Sequence, residues 1–224
     1  MSSKDIAIVF DCGATNLRVI AMDTAGKIVA SESQNNHSSP DKETPNGIIW
    51  DIEEMWKKLC ACSQKVLKAI NPERIAGITV TTFGVDGTFV DQSGQMLFPV
   101  ISWQCQRTTP IMENISKYIP LNELYAEAGT FPYAFNTINK FIWTKENRPD
   151  VIAKAHRFLF ITSLFIFKLT GKMRNDATMA GTSMLMNMQK QKPSDKIFSA
   201  LNISPDILGN IAESGEKAGE IQKQ

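Results

Sequence analysis

The sequence predicts an α/β fold that opens on three antiparallel strands, and three features predict it. First, Ile6 to Phe10 and Leu17 to Met22 are continuous β-favouring runs, and Lys27 to Ala30 follows after the turn Thr24-Ala25-Gly26. Strands joined by turns this short must be antiparallel neighbours. Second, apolar or small residues from Asp51 to Ile70 fall at Ile52, Met55, Trp56, Leu59, Cys60, Val66, Leu67 and Ile70, one stripe of 3.6-residue period and therefore a helix. Third, after Asn71-Pro72 the run Ile75 to Thr81 reads as a buried strand. The order is three strands, a helix and a further strand.

The helix start is well marked. Asp51 can cap the free N–H groups while Glu54 reaches back, and Trp50 can pack on Met55 as a hydrophobic staple. The polar stretch from Ser31 to Gly47 reads as a long loop. Thr88-Phe89-Val90, the turn Asp91 to Gly94 and Gln95 to Phe98 read as a hairpin. Beyond about residue 104 the chain favours helices, over Thr109 to Lys117, Thr137 to Asn147 and Ser163 to Thr170, with a strand at Arg157 to Ile161.

Composition narrows the function classes. Lys+Arg of 24 against Asp+Glu of 23 leaves a net charge of +1, so no basic footprint for nucleic acid or an anionic membrane is present, and a small-molecule partner is expected. Phe158 to Phe167, the longest apolar stretch, falls short of the roughly 20 residues of a membrane span. Five apolar residues before Asp11 are too few for a signal peptide, and a cytoplasmic protein is expected. Cys12, Cys60, Cys62 and Cys105 lack metal-site spacing, and His37 and His156 each stand alone.

The chemistry concentrates in Asp11-Cys12-Gly13-Ala14-Thr15-Asn16-Leu17-Arg18, where one strand turns tightly into the next. Such a turn gathers backbone N–H groups, a hydroxyl and a carboxylate around a concavity suited to phosphate oxygens. A bare phosphate would be repelled by Asp11. The arrangement makes sense if Asp11 holds the Mg²⁺ of a nucleotide through water, with Arg18 either neutralising phosphate or lying on the outer face of its strand. A plain hairpin turn is the alternative, and the helix-led loop GxxxxGK[ST] and the fingerprint GxGxxG are both absent.

This motif resembles the first phosphate motif of the FGGY family of carbohydrate kinases. Thr81 to Gly87, Ile101 to Thr108 and Asn175 to Ser183 agree in order and spacing, nearest to the fuculokinase-like subgroup and next to the rhamnulokinase-like one. Phe135 to Asn147 is similar to a family signature segment, departing at Thr144, and Cys105 stands where many relatives have an aspartate. The resemblance implies an actin-like ATPase (ribonuclease H-like) domain with a mixed sheet and flanking helices. It implies ATP and Mg²⁺ as cofactors, with phosphate contacts at Asp11, Gly13, Ala14, Thr15, Asn16 and Arg18, the metal at Asp11, and a ketose, foremost L-fuculose, as acceptor. L-rhamnulose, another ketose or polyol, or a non-catalytic sugar-binding module are the alternatives.

On the sugar side the resemblance points to Gly84, Val85, Asp86, Trp103 and Arg107. Glycines bracketing Val85-Asp86 allow close backbone approach, and a carboxylate accepts bonds from hydroxyls. Trp103 could stack on a sugar and Arg107 could fork to hydroxyls, or they could be a core tryptophan and an arginine paired with a carboxylate. Asp176, Thr178 and Thr182 read as helix capping after the Gly171-Lys172 turn, with a part in the sugar site as the alternative. The resemblance further implies that residues 1–224 are the N-terminal domain, that the catalytic base lies beyond Gln224, and that a second actin-like domain with the adenosine site is lacking here. No turnover by the chain alone is then expected.

Overall fold

The computed structural model describes residues 4–222, so Met1–Ser3 and the last two residues of the polar stretch Gly215 to Gln224 fall outside it. Along the chain run strands β1 (Ile6–Cys12), β2 (Asn16–Asp23), β3 (Ile28–Asn35), β4 (Ser39–Pro40) and β5 (Ile48–Trp50), helix α1 (Ile52–Lys68), and strands β6 (Ile75–Thr82), β7 (Gly87–Val90) and β8 (Val100–Ile101). Helices then dominate: α2 (Thr109–Glu113), α3 (Leu121–Ala128), α4 (Thr137–Asn147), α5 (Pro149–Lys154) and, after strand β9 (Arg157–Phe160), α6 (Ile161–Thr170), α7 (Ala177–Gly181) and α8 (Asp195–Leu201). The chain divides into two compact units. One comprises Asp51–Phe83 and the chain up to Ser39, the other Pro40–Trp50 and the chain from Gly84 onward.

In the first unit the sheet order is β3-β2-β1-β6, with β1 antiparallel to β2 and parallel to β6. Ile6, Ile8, Phe10 and Cys12 alternate with more exposed residues along β1, and Leu17, Val19 and Ala21 lie opposite them on β2. This face takes α1, which buries Ile52, Met55, Leu59, Cys62 and Val66. Full burial of such side chains contributes about 1.5–3 kcal/mol each. Cys62 joins the stripe while Cys60 is only half-buried and Leu67 turns outward, because the buried positions step by three and four and keep the stripe narrow.

Asp51 Oδ1 accepts from the Glu54 N–H at 2.9 Å, as an N-cap should. Glu54 itself does not reach back; its carboxylate pairs forward with Lys58 at 2.6 Å. The sequence alone predicts a loop from Ser31, yet β3 runs on to Asn35, which pairs with Asn16. As an outer strand with no buried residue, β3 is set by its ladder to β2 and carries no apolar alternation to read.

In the second unit β7 and β9 pair antiparallel with Gly87 opposite Phe160. A Cβ on Gly87 would stand 2.4 Å from the Leu159 carbonyl, so glycine lets the two strands close. Phe89, Phe141 and Phe158, from β7, α4 and β9, form a triangle with ring centroids 4.8, 5.1 and 4.7 Å apart. Asn175, fully buried, donates to the carbonyls of Phe158 and Leu208 at 2.8 Å each and accepts from the Phe160 N–H.

Four expectations change. The strand expected at Ile75 to Thr81 forms as β6 but is not buried: it is the outer strand of the sheet beside β1, and none of its residues is fully buried. The return arm of the hairpin reduces to one bridge, Val90 to Met96, because β7 takes β9 as its strand partner. The helix from Thr109 breaks at Asn114, whose side chain donates to the Pro110 carbonyl at 2.9 Å and competes with the backbone, leaving a 3₁₀ turn over Ile115–Lys117. Helix α6 begins at Ile161, directly where β9 ends. Among the described residues no helix is long and apolar enough to cross a membrane.

Phe141→Ala should lower stability by about 3–5 kcal/mol by emptying the centre of the aromatic triangle. Asp51→Ala should cost about 1 kcal/mol through the lost cap. Urea denaturation of each variant measures both.

Candidate active site

The predicted phosphate turn is a three-residue link, Gly13 to Thr15, between β1 and β2. The Gly13 N–H donates to the Asn16 carbonyl at 2.8 Å. Asn36, just past β3, clamps the turn from the side: its Nδ2 donates to the Gly13 carbonyl at 2.9 Å and its N–H to the Thr15 carbonyl at 2.8 Å. With the Gly13 and Thr15 carbonyls satisfied, the N–H groups of Ala14 and Thr15 are left without an acceptor among the described residues. Unpaired amides in a rigid turn form a site for anionic oxygens.

Asp11 and Arg18 are cross-strand partners, and Arg18 Nε lies 3.9 Å from Asp11 Oδ2, both side chains well exposed. An exposed pair at this distance holds loosely, so Asp11 has room for a water of a hydrated cation and the residue set fits Mg²⁺. A Cβ on Gly13 would meet the Asn16 carbonyl at 3.0 Å, which explains the glycine. Cys12 is fully buried, and burial pushes its thiol up to about 12, so it stays protonated beside the turn.

In the second unit Gly84, Val85, Asp86 and Trp103 come together. Asp86 is fully buried with both oxygens engaged: Oδ2 accepts from the Trp50 indole at 2.6 Å and the Trp103 N–H at 2.9 Å, and Oδ1 pairs with Lys140 of α4. Trp50, whose predicted use was a helix staple, thus spends its polar edge on Asp86. Burial pushes the Asp86 carboxyl above its ordinary value against the Lys140 ammonium and the two N–H donors, and burial likewise pushes Lys140 down. A carboxylate sealed in this way holds backbone; it has no free oxygen with which to act as a base.

The positive backbone angle in this segment belongs to neither glycine but to Val85, with φ of +66°. A Cβ on Gly84 would lie 3.5 Å from Thr182 Oγ1, ordinary contact, so space at Gly84 is not crowded on that side. Trp103 is 38% exposed as a residue while its backbone N–H is fixed by Asp86, so this aromatic residue is partly accessible from solvent.

Arg107 is drawn away from that group. Its Nη2 lies 2.6 Å from Asp41 Oδ2, its Nη1 donates to Thr44 Oγ1, and its Nε to Cys105 Sγ at 3.1 Å, with the guanidinium 4.7 Å from the Trp143 ring centre. The carboxylate-pairing alternative is therefore the arrangement found. Cys105, which also accepts from the Ile48 N–H at 3.3 Å, supplies the acceptor that an aspartate would give. Asp176 caps α7 through the Met179 N–H at 3.0 Å and also accepts from Thr178.

Sequence reasoning singles out neither Asn36 nor Lys140. Asn36 follows an unrecognised stretch of strand and gives no signal of its own. Lys140 does: it is a lone charge in a helical run, Thr137 to Thr144, in which every residue is buried.

Comparison with known proteins bears on this geometry. A model of the N-terminal domain of the FGGY family of carbohydrate kinases matches residues 6–224. An L-fuculokinase of Haemophilus influenzae is 42% identical over 222 residues, covering 97% of this chain and 47% of that protein. The chain thus spans about half the length of such relatives. A ligand-bound xylulose kinase from Lactobacillus acidophilus superposes with a TM-score of 0.87 at 21% identity, covering 97% of this chain and 44% of that one. The Plasmodium falciparum glycerol kinase with ADP gives 0.85 at 21%, covering 100% and 46%. The fold is accordingly the actin-like ATPase fold.

Arg107→Ala should cost about 3–5 kcal/mol, because it strands the Asp41 carboxylate in a site where only 1% of that side chain is exposed. Burial pushes Asp41 up, but the Glu43 N–H, the Arg107 guanidinium and the Thr44 hydroxyl outweigh it and hold the group below its ordinary 3.8. A depressed carboxyl contributes stability that is full above 3.8 and is lost as pH falls below it. Acid titration of stability should therefore fall less steeply in Arg107→Ala than in the parent.

Proposed function

We propose, because the chain belongs to the FGGY family of carbohydrate kinases, that the complete protein transfers the γ-phosphate of ATP to a ketose, foremost L-fuculose, giving L-fuculose 1-phosphate. The observation that carries the reading is the turn at Gly13 to Thr15, whose two free amides lie beside the exposed Asp11 carboxylate. The identity to an L-fuculokinase supports the choice of ketose. The acceptor and the nucleotide are small molecules, and since ATP is a cytoplasmic metabolite the proposed location is the cytoplasm. Neither nucleic acid nor a membrane enters the reading.

In this mechanism the amides of Ala14 and Thr15, the Thr15 hydroxyl and the Asn16 side chain hold the nucleotide phosphates, and Arg18 offsets their charge. Asp11 orients the water shell of the metal. A magnesium ion, when bound, supplies neutralisation of the charge on the transferred phosphoryl group. Trp103 and the Gly84–Val85 backbone serve the sugar, Asp86 fixes both from beneath, and Arg107 holds the loop at Asp41 in place. Asp86, with both oxygens engaged, does not take the hydroxyl proton in this reading; that base is expected in the part of the complete protein that corresponds to the half of such relatives this chain does not span. Phosphoryl transfer needs little covalent chemistry from the protein, so positioning of this kind can account for most of the catalysis.

An ATP-coupled assay of the complete polypeptide against a ketose panel should give the highest kcat/KM with L-fuculose; a preference for L-rhamnulose would move the acceptor within the family. Asp11→Ala should lower kcat by about 10²-fold or more while leaving the fold intact. Undiminished activity in that variant would reject the metal role. The 224-residue chain by itself should show no turnover.

A further inference from the structure

Val85 is a β-branched residue held at φ +66°, a region such residues avoid, and geometry of this kind persists only where the surroundings over-determine it. Here they do. The Val85 carbonyl accepts from two side chains of α4, Thr137 Oγ1 at 2.8 Å and Lys140 Nζ at 3.1 Å. The same ammonium pairs with Asp86 Oδ1, while Asp86 Oδ2 fixes the backbone N–H of Trp103 at 2.9 Å. One buried cation therefore ties the strained peptide to the segment that carries the half-exposed indole.

Stability alone gives no reason for an ion pair there. An apolar residue in place of Lys140 alone would strand the buried Asp86 carboxylate, but well-packed apolar residues at both positions would often be as stabilising as the buried pair. What the pair does provide is a fixed geometry for Gly84 to Asp86 and for Trp103. We infer that Lys140, assisted by Thr137, is a positioning residue for the ketose, holding the Val85 peptide and Trp103 in the arrangement that receives the sugar without touching the sugar itself. The inference rests on the ketose-kinase reading above.

The test uses the complete kinase and two variants, Lys140→Met, which keeps length and removes the charge, and Thr137→Val, which removes one of the two bonds to the Val85 carbonyl. Ketose binding by calorimetry, KM for ketose, KM for ATP and thermal midpoint are measured for each. Lys140→Met should raise the ketose Kd and KM by about tenfold or more with KM for ATP within about twofold, and Thr137→Val should show the same selectivity at about threefold. Should Lys140→Met fail to fold, the milder Thr137→Val decides. Folded variants whose ketose Kd stays within about twofold of the parent, or whose two KM values rise together, overturn the inference and leave the kinase reading standing. A parent that binds ketose without turnover overturns the kinase reading, and the inference is then judged on Kd; a parent that neither binds nor turns over any ketose overturns both.

Discussion

A lysine and an aspartate that are both shut off from water must satisfy one another and recruit every other donor and acceptor within reach. In the second unit that requirement organises the surroundings of Lys140 and Asp86. It gives the Trp50 indole its partner, pins the amide of Trp103, and locks the carbonyl of Val85 from two sides. The aromatic triangle on α4, β7 and β9 then packs around a polar knot whose geometry is already decided. The pair is surrounded on α4 by buried residues from Thr137 to Thr144, so no water relaxes a mistake in it.

The proposed nucleotide side follows the opposite logic. There the carbonyls of Gly13 and Thr15 are held by Asn36, while the Ala14 and Thr15 amides have no acceptor among the described residues and the nearby Asp11 carboxylate stays exposed. One site is saturated so that it cannot move; the other is left incomplete so that something else can complete it. Both are ways of fixing geometry before a ligand arrives, which is where the proposed kinase, with little covalent chemistry to perform, would gain most.

Much of this is legible in the residues. The strands β1 and β2, helix α1 with its Asp51 cap, α4 and the tight turn between β1 and β2 all announce themselves through period, capping and turn chemistry. What stays hidden shares a cause. The extension of β3 over Ser31–Asn35 is made by hydrogen bonding to β2 and not by burial, so it leaves no apolar pattern. Asn36 acts through backbone groups 21 to 23 positions away in sequence, and Arg107 through Asp41, 66 positions away, separations that no local window contains. Lys140 is the exception: a charge in the middle of a buried run is legible in the sequence as a residue that helical packing alone does not explain.

The outermost parallel strand raises a different matter. β6 pairs with β1 along one side, and its other side presents backbone donors and acceptors with no strand against them among the described residues. None of its residues is fully buried, and Thr79 and Thr81 are exposed. It carries no lysine, proline or bulge near its middle of the kind that discourages strand addition. For this polypeptide handled alone, that strand is thus an edge on which its own residues do little to oppose strand addition, and a lysine at exposed Thr79 is the kind of gatekeeper that would oppose it.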